Sequence, residues 1–364
     1  MSQPSYQYPH VEIDLGKLKE KMEALQERCQ ASSIEISGVV KGFHALPAAA
    51  KVYEEVGVSS IASSRMDQLR GLKEAGIQTP LMLIRIPMPS EVEDVVTWSD
   101  ISLNSECSVL RLLDKAARNK GRTHKVILMV DLGDLREGFW DWDELVAAAL
   151  EVEHDLPNLE LLGVGTNLGC YGSIQATPEK MHDLVAAAER VEKAIGRKLE
   201  VISGGASSSL HMVLDGTMPP RINHLRVGEG ILLGSIWGCN MDFMHKDIMV
   251  LRAQVIESKV KPSHPVGELS VDAFGQTRTY VDRGHRLRCL LAMGRVDYGE
   301  SDDLIPREPG IKVLGASSDH TILDVEGATR RLKTGDVLEF DLCYATMVYL
   351  TGSKSVHIYY KNET

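Results

Sequence analysis

The feature that most restricts how this chain can fold is an alternation of short apolar runs with helical stripes. It repeats about eight times in the first 240 residues. The runs lie at 36–40, 58–63, 81–84, 100–103, 126–130, 159–164, 199–203 and 222–227. The helical segments between them carry start and stop signals. Asn104 is a good N-cap for a helix that Gly121 ends, and Thr177–Pro178 opens one whose apolar face is Met181, Leu184, Val185, Ala188, Val191 and Ile195. Strands alternating with helices imply parallel strands and right-handed crossovers. With eight units, a closed (β/α)8 TIM-like barrel is favoured over an open sheet. A short strand at 11–14 precedes the repeat. Near residue 246 the texture changes to short alternating strands with Gly/Asp turns and no helical stripe. The expected organisation is α/β: a barrel over 1–245, then a C-terminal all-β domain over 246–364.

Chemistry in such a barrel gathers at the C-terminal ends of the strands. The first run stops abruptly at Lys41. A strand-end lysine either snorkels to solvent or is desolvated, loses its proton and forms a Schiff base, and the strand alone supports both readings. Arg85, Asn104, the segment 131–138, then Thr166 and Asn167 end or follow the next strands. The last two ends are richer. Ser203–Gly204–Gly205–Ala206–Ser207 and Arg226–Val227–Gly228–Glu229–Gly230 offer bare backbone N–H groups and hydroxyls, the makings of a phosphate cup. A strand-end lysine, a phosphate cup across the barrel and an arginine between them are the parts that pyridoxal phosphate (PLP) requires.

The charge balance excludes other classes. With 40 basic against 51 acidic residues the chain is acidic, and no basic run stands out, so nucleic acid is not an expected partner. No apolar stretch reaches the length of about 18 residues needed to span a membrane, and the first ten residues do not read as a secretory signal. The six cysteines are scattered without a CxxC pair. That argues against structural zinc and for a reducing, cytoplasmic setting. The expected partners are a small molecule and a second copy of the chain.

The segments at 39–42, 131–138, 165–170 and 225–229, with 266–268, 272–275 and 314–320 in the second domain, carry a resemblance. Over nearly its whole length the chain resembles the fold-type III PLP enzymes of the alanine racemase group, and within it the ornithine racemase branch. The resemblance implies that Lys41 carries PLP and acts as one acid/base, that Ser207 and the amides near Gly228 and Glu229 hold the phosphate, and that Arg226 meets the pyridine nitrogen. It places Arg136 near the substrate carboxylate; the residues alone also allow a surface ion pair of Arg136 with Glu137 or Asp134. Ser318 and Asp319 match a loop that approaches the same carboxylate. It also implies a head-to-tail homodimer in which the β domain completes the partner's site.

The chain departs from the group in several places. Asp272 stands where a partner-supplied tyrosine is expected as the second base; it could be that base, a contact for a cationic side chain, or a turn residue. Tyr344 is another candidate base, or else a half-buried sheet tyrosine. Met129, Ala206 and Ala45 replace a modified lysine, an asparagine and a tyrosine of the alanine racemases. The expected activity is PLP-dependent, two-base interconversion of the L- and D-forms of a basic amino acid, ornithine or lysine, with Asp134, Asp272 and Asp319 motivating the basic substrate. The rival readings are a PLP-dependent decarboxylase, which would favour a carboxylate at the pyridine nitrogen, and a non-catalytic PLP-binding homeostasis protein, which would lack the β domain.

Overall fold

The computed structural model describes residues 6–362 apart from Trp237, Gly238, Asp242, Asp272, Ala273, Gln276 and Arg278. The chain divides into two compact units. One runs from Lys17 to Lys246; the other joins the chain before Lys17 to the chain from Asp247 onward.

Strand β1 (His10–Asp14) and helix α1 (Leu15–Ala31) precede the barrel. Its strands are β2 (Glu35–Val39), β3 (Ser60–Ser63), β4 (Leu81–Leu83), β5 (Ile101–Asn104), β6 (His124–Met129), β7 (Leu159–Gly165), β8 (Val201–Ala206) and β9 (His224–Val227). They pair in parallel, in sequence order, and β9 returns to β2 to close the ring. Helices α2 (Pro47–Val56), α3 (Met66–Glu74), α4 (Val92–Trp98), α5 (Cys107–Lys120), α6 (Trp142–His154), α7 (Pro178–Ile195) and α8 (Leu210–Leu214) connect them, and α9 (Glu229–Leu233) follows β9. The caps of α7 hold: the Thr177 hydroxyl accepts from Lys180 N, Pro178 opens the helix, and Gly196 closes it in the left-handed region. Gly121 closes α5, but Asn104 is not its cap, since Asn104 is the last residue of β5 and Glu106 precedes the helix. Val39, Ala62, Met82, Ile101, Leu103, Ile127, Met129 and Leu162 pack together inside the ring.

Two glycines allow close approach. At Gly163 a Cβ would lie 1.8 Å from the Val201 carbonyl oxygen on β8. At Gly38 it would lie 2.1 Å from the ring of Tyr53, which is fully buried on α2 and packs beside Phe43. Gly38→Ala is therefore expected to push α2 off the barrel and to destabilise the protein by about 1–3 kcal/mol. A urea midpoint equal to the parent's would contradict that packing.

A hairpin of β10 (Ser235–Ile236) and β11 (Cys239–Asn240) ends the first unit. The second unit contains β12 (Met249–Pro262), β13 (His285–Leu291), α10 (Arg295–Tyr298), β14 (Ile305–Pro306), β15 (Lys312–Ala316), β16 (Thr321–Asp324), β17 (Val337–Asp341), α11 (Tyr344–Gly352) and β18 (His357–Lys361). Its sheet order is β14-β17-β12-β13-β16-β15, all antiparallel. Here the structure corrects the sequence reading. Strand β1 is not part of the barrel unit: it pairs antiparallel with β12 and parallel with β18, so residues 10–14 belong with the β unit. That unit is also not all β. Helix α11 is apolar around most of its circumference and so shows no polar-against-apolar stripe in the sequence. Among the described residues no helix is long and apolar enough to cross a membrane.

Candidate active site

Lys41 lies one residue beyond Val40, just past the end of β2, and opens a single 3-10 turn through Phe43. Val40 N donates to Ala62 O at 2.9 Å, and Ala45 N to Val40 O at 3.0 Å, which folds the chain back behind the lysine. The reversal needs left-handed backbone at both His44 and Ala45, an uncommon state for non-glycine residues. Among the described residues Lys41 has no ion-pair partner. Burial lowers its pKa first, and the Arg136 guanidinium lowers it further, against opposing effects of Cys170 and Glu137. The neutral, nucleophilic amine is thereby favoured.

Arg226 lies on β9, the strand hydrogen-bonded to β2, and is 2% exposed. Its Nη1 donates to Ser203 Oγ; its Nη2 donates to Thr166 O at 2.7 Å and Asn167 Oδ1 at 2.6 Å. All three acceptors are neutral. Burial pushes the guanidinium pKa down to about 10, with the nearby Glu137 charge opposing, so it stays cationic at neutral pH. Behind it runs a polar seam through the barrel. His224 lies 2.8 Å from Ser203 Oγ through Nδ1 and 2.7 Å from Ser37 Oγ through Nε2, and Ser37 Oγ lies 2.5 Å from Ser60 Oγ. His124 contacts Ser102 Oγ at 2.9 Å.

Burial drives the pKa of His224 down to about 3 and that of His124 to about 4. Both are neutral when folded and protonate near pH 6.5 when unfolded. Between those values the unfolded chain binds more protons, so stability falls as pH drops below about 6.5, by at most about 1.4 kcal/mol per pH unit from each histidine. Denaturant midpoints at pH 7 and 5 should show this loss. Substituting both histidines by glutamine should flatten the slope; an unchanged slope would contradict the assignment.

Ser207 opens the turn after β8 and is buried. Its Oγ accepts from the amides of Gly228 at 3.2 Å and Gly230 at 3.1 Å. A Cβ on Gly228 would lie 3.0 Å from Val39 Cβ and 3.2 Å from Val39 O, so this cup is built against the same β2 end that carries Lys41. Burial raises the Glu229 carboxyl pKa, which weakens its repulsion of an anion beside it.

The segment after β6 holds the remaining barrel groups. Arg136 Nε and Nη2 reach both carboxylate oxygens of Glu137, and Asn167 Nδ2 donates to Glu137 Oε1. The ion pair that the residues alone allowed is therefore present. Asp134 is 1% exposed, and its carboxylate accepts from the amides of Gly169 at 3.2 Å, Cys170 at 3.3 Å, Tyr171 at 3.0 Å and Ile174 at 3.2 Å. This corrects the expectation that Asp134 favours a basic substrate. The carboxylate is committed to the backbone of the 169–174 loop.

In the second unit, Ser318 and Asp319 sit in the turn between β15 and β16, and the serine hydroxyl donates to the carboxylate at 2.5 Å. Tyr344 is the first residue of α11, not a sheet tyrosine, and it is half-buried. Asp272 lies outside the described residues. The seam residues Ser37, Ser60 and His224 were not singled out from sequence; their signal is polar side chains inside otherwise apolar barrel runs. A cavity of about 310 Å³ at the other end of the barrel, bordered by Glu35, Glu200 and Asn223, contains none of the strand-end groups.

Comparison with known proteins gives a consistent result. The family profile for the alanine racemase N-terminal domain matches residues 13–235. The chain is 39% identical to an ornithine racemase of Acetoanaerobium sticklandii, over 96% of this chain and 98% of that one. It is 36% identical to a lysine racemase of Thermotoga maritima, over 97% and 99%. Among solved structures it shares the fold of an alanine racemase from Streptomyces lavendulae, with a TM-score of 0.77 at 20% identity over 98% of each chain. It also shares that of a D-threonine aldolase from Filomicrobium marinum, with a TM-score of 0.72 at 16% identity over 95% and 89%.

Proposed function

Because this chain belongs to the alanine racemase family and is an amino-acid racemase, we propose that it holds PLP at the β2, β8 and β9 ends and interconverts the enantiomers of a basic amino acid, ornithine or lysine. The observation that carries the reading is the grouping of three unlike parts at adjacent strand ends. These are a lysine amine biased toward its neutral form, a buried guanidinium with neutral acceptors only, and two glycine amides converging on the Ser207 hydroxyl. The missing Cβ at Gly228 and the convergent amides suit a phosphate oxygen, and the amine suits an aldehyde.

When bound, PLP supplies an electron sink that acidifies the α-hydrogen of an attached amino acid. Lys41 Nζ takes that proton or returns it on one face of the α-carbon. With PLP bound, Arg226 would donate a hydrogen bond toward its ring nitrogen and would keep its own proton, since burial lowers the guanidinium pKa only to about 10. That limits electron withdrawal and favours quick return of the α-proton over side reactions. A decarboxylase reading lacks the carboxylate it would favour at that position. Ser207 and the amides of Gly228 and Gly230 hold the phosphate, and Arg136 holds the substrate carboxylate. The opposite face needs a second proton carrier. Asp272 and Tyr344 are the candidates, supplied from a second copy in a head-to-tail dimer, with Ser318 and Asp319 near the carboxylate. The choice of ornithine or lysine rests on the two relatives named above.

Incubation with each L-amino acid in deuterated water should give the D-isomer and α-deuteration fastest with ornithine or lysine. No α-exchange with any amino acid would refute racemisation. Specific activity should fall on dilution below the dimer's dissociation range; constant activity in fully monomeric protein would refute the shared site.

A further inference from the structure

Arg136 and Arg226 are the two arginines of the site, and neither stands alone. Arg226 is buried, and its direct partners are Ser203, the Thr166 carbonyl and Asn167, all neutral. Asn167 uses its carbonyl oxygen on Arg226 and its amide nitrogen on Glu137. Glu137 in turn takes both nitrogens that Arg136 offers, Nε and Nη2. The groups thus form one continuous chain, Arg226 to Asn167 to Glu137 to Arg136, with a single negative charge in it. A side-by-side Arg–Glu pair on an open surface would be of little consequence. This pair differs: the Glu137 side chain is 16% exposed against 39% for Arg136, and its third contact points inward to Asn167. Its charge also acts on Lys41 and Arg226, in the sense opposite to Arg136. Met129, fully buried on β6, supplies no charge to Arg136 from the barrel interior.

We propose that Glu137 is a positioning residue that serves as the shared countercharge of Arg136 and Arg226, fixing the first directly and the second through Asn167. This rests on the racemase reading for the role of Arg136. Glu137 holds the guanidinium plane by two bonds and leaves the remaining nitrogen, Nη1, for a substrate carboxylate. It also halves the net charge of the two guanidinium groups, from +2 to +1, beside the Lys41 amine. Asn167 can serve this link only with its oxygen toward Arg226, because arginine donates and never accepts.

Glu137→Gln keeps the shape and removes the charge. It is expected to raise KM for the amino acid about tenfold or more, in line with losing a charge-assisted hydrogen bond, while kcat falls less. Glu137→Asp, which restores the charge, should recover part of that loss. Asn167→Ala cuts only the arm to Arg226, so it should lower kcat with KM nearly unchanged. A second readout is independent of turnover: the rate of Lys41 acetylation in the apoprotein against pH, followed by mass spectrometry. Removing the Glu137 charge takes away an effect that raises the lysine's pKa, so the midpoint should move to lower pH in Glu137→Gln and stay in place in Glu137→Asp. An unchanged KM, or an unchanged Lys41 midpoint in folded Glu137→Gln, would overturn the proposal. If the parent protein turns over no amino acid, the racemase reading falls and the acetylation midpoint alone decides the countercharge role.

Discussion

Lys41→Ala is expected to lower racemisation by roughly 10⁴-fold, the full contribution of a positioned proton carrier, and to end covalent retention of PLP. The reason lies in how the site is built. The turn that ends β2 spends two left-handed residues to present this one side chain, and the amine it presents is held toward its neutral form by burial and by Arg136. Among the described residues no ion pair competes for it. The next lysine in sequence, Lys51, lies on α2 in an exposed position. Lys41→Arg should be nearly as damaging, because a guanidinium does not lose its proton in the working range. D-isomer formation from the L-substrate measures the loss; activity within tenfold of the parent would remove Lys41 from the chemistry.

Asp134→Ala should be the most damaging change made away from the reacting atoms. Its carboxylate collects four amides of the 169–174 loop, and deleting it leaves those donors with only water, at about 1–3 kcal/mol for each one that stays buried. The loop is wrapped tightly on this residue: a Cβ at Gly172 would lie 2.6 Å from the Asp134 carbonyl oxygen. Local opening is therefore expected rather than a small global shift. Asn167 lies two residues before Gly169 and holds both Arg226 and Glu137, so racemisation should fall by about 100-fold as orientation is lost. Asp134→Asn should do little better, because its NH2 group would confront backbone N–H groups. Limited proteolysis should cut the variant within the loop at protease levels that leave the parent whole. A loop as resistant as the parent's, with full activity, would contradict this account.

The barrel was legible because its strands are apolar runs buried on both faces and punctuated by helix caps. Lys41, Ser207 and Arg226 were legible because the rule about strand ends turns a position in sequence into a position in the site. Other features depend on contacts that no local pattern encodes. Strand β1 falls inside the stretch expected to form the barrel domain, but its partners are Met249–Arg252 on β12 and His357–Lys361 on β18, the latter at the far end of the chain. Asp134 reads as a free acid in sequence, and only the fold brings the 169–174 amides to it. Glu137 next to Arg136 reads as a surface pair until Asn167 is seen to join it to Arg226. Helix α11 lacked a stripe because its sequence offers little polar contrast.

The most direct test of the central claim is to reconstitute the full chain with PLP, reduce it with borohydride and map the modified lysine by mass spectrometry. The account predicts a single pyridoxyl group on Lys41, lost in Lys41→Ala. Stoichiometric modification of a different lysine, or none at all, would contradict it.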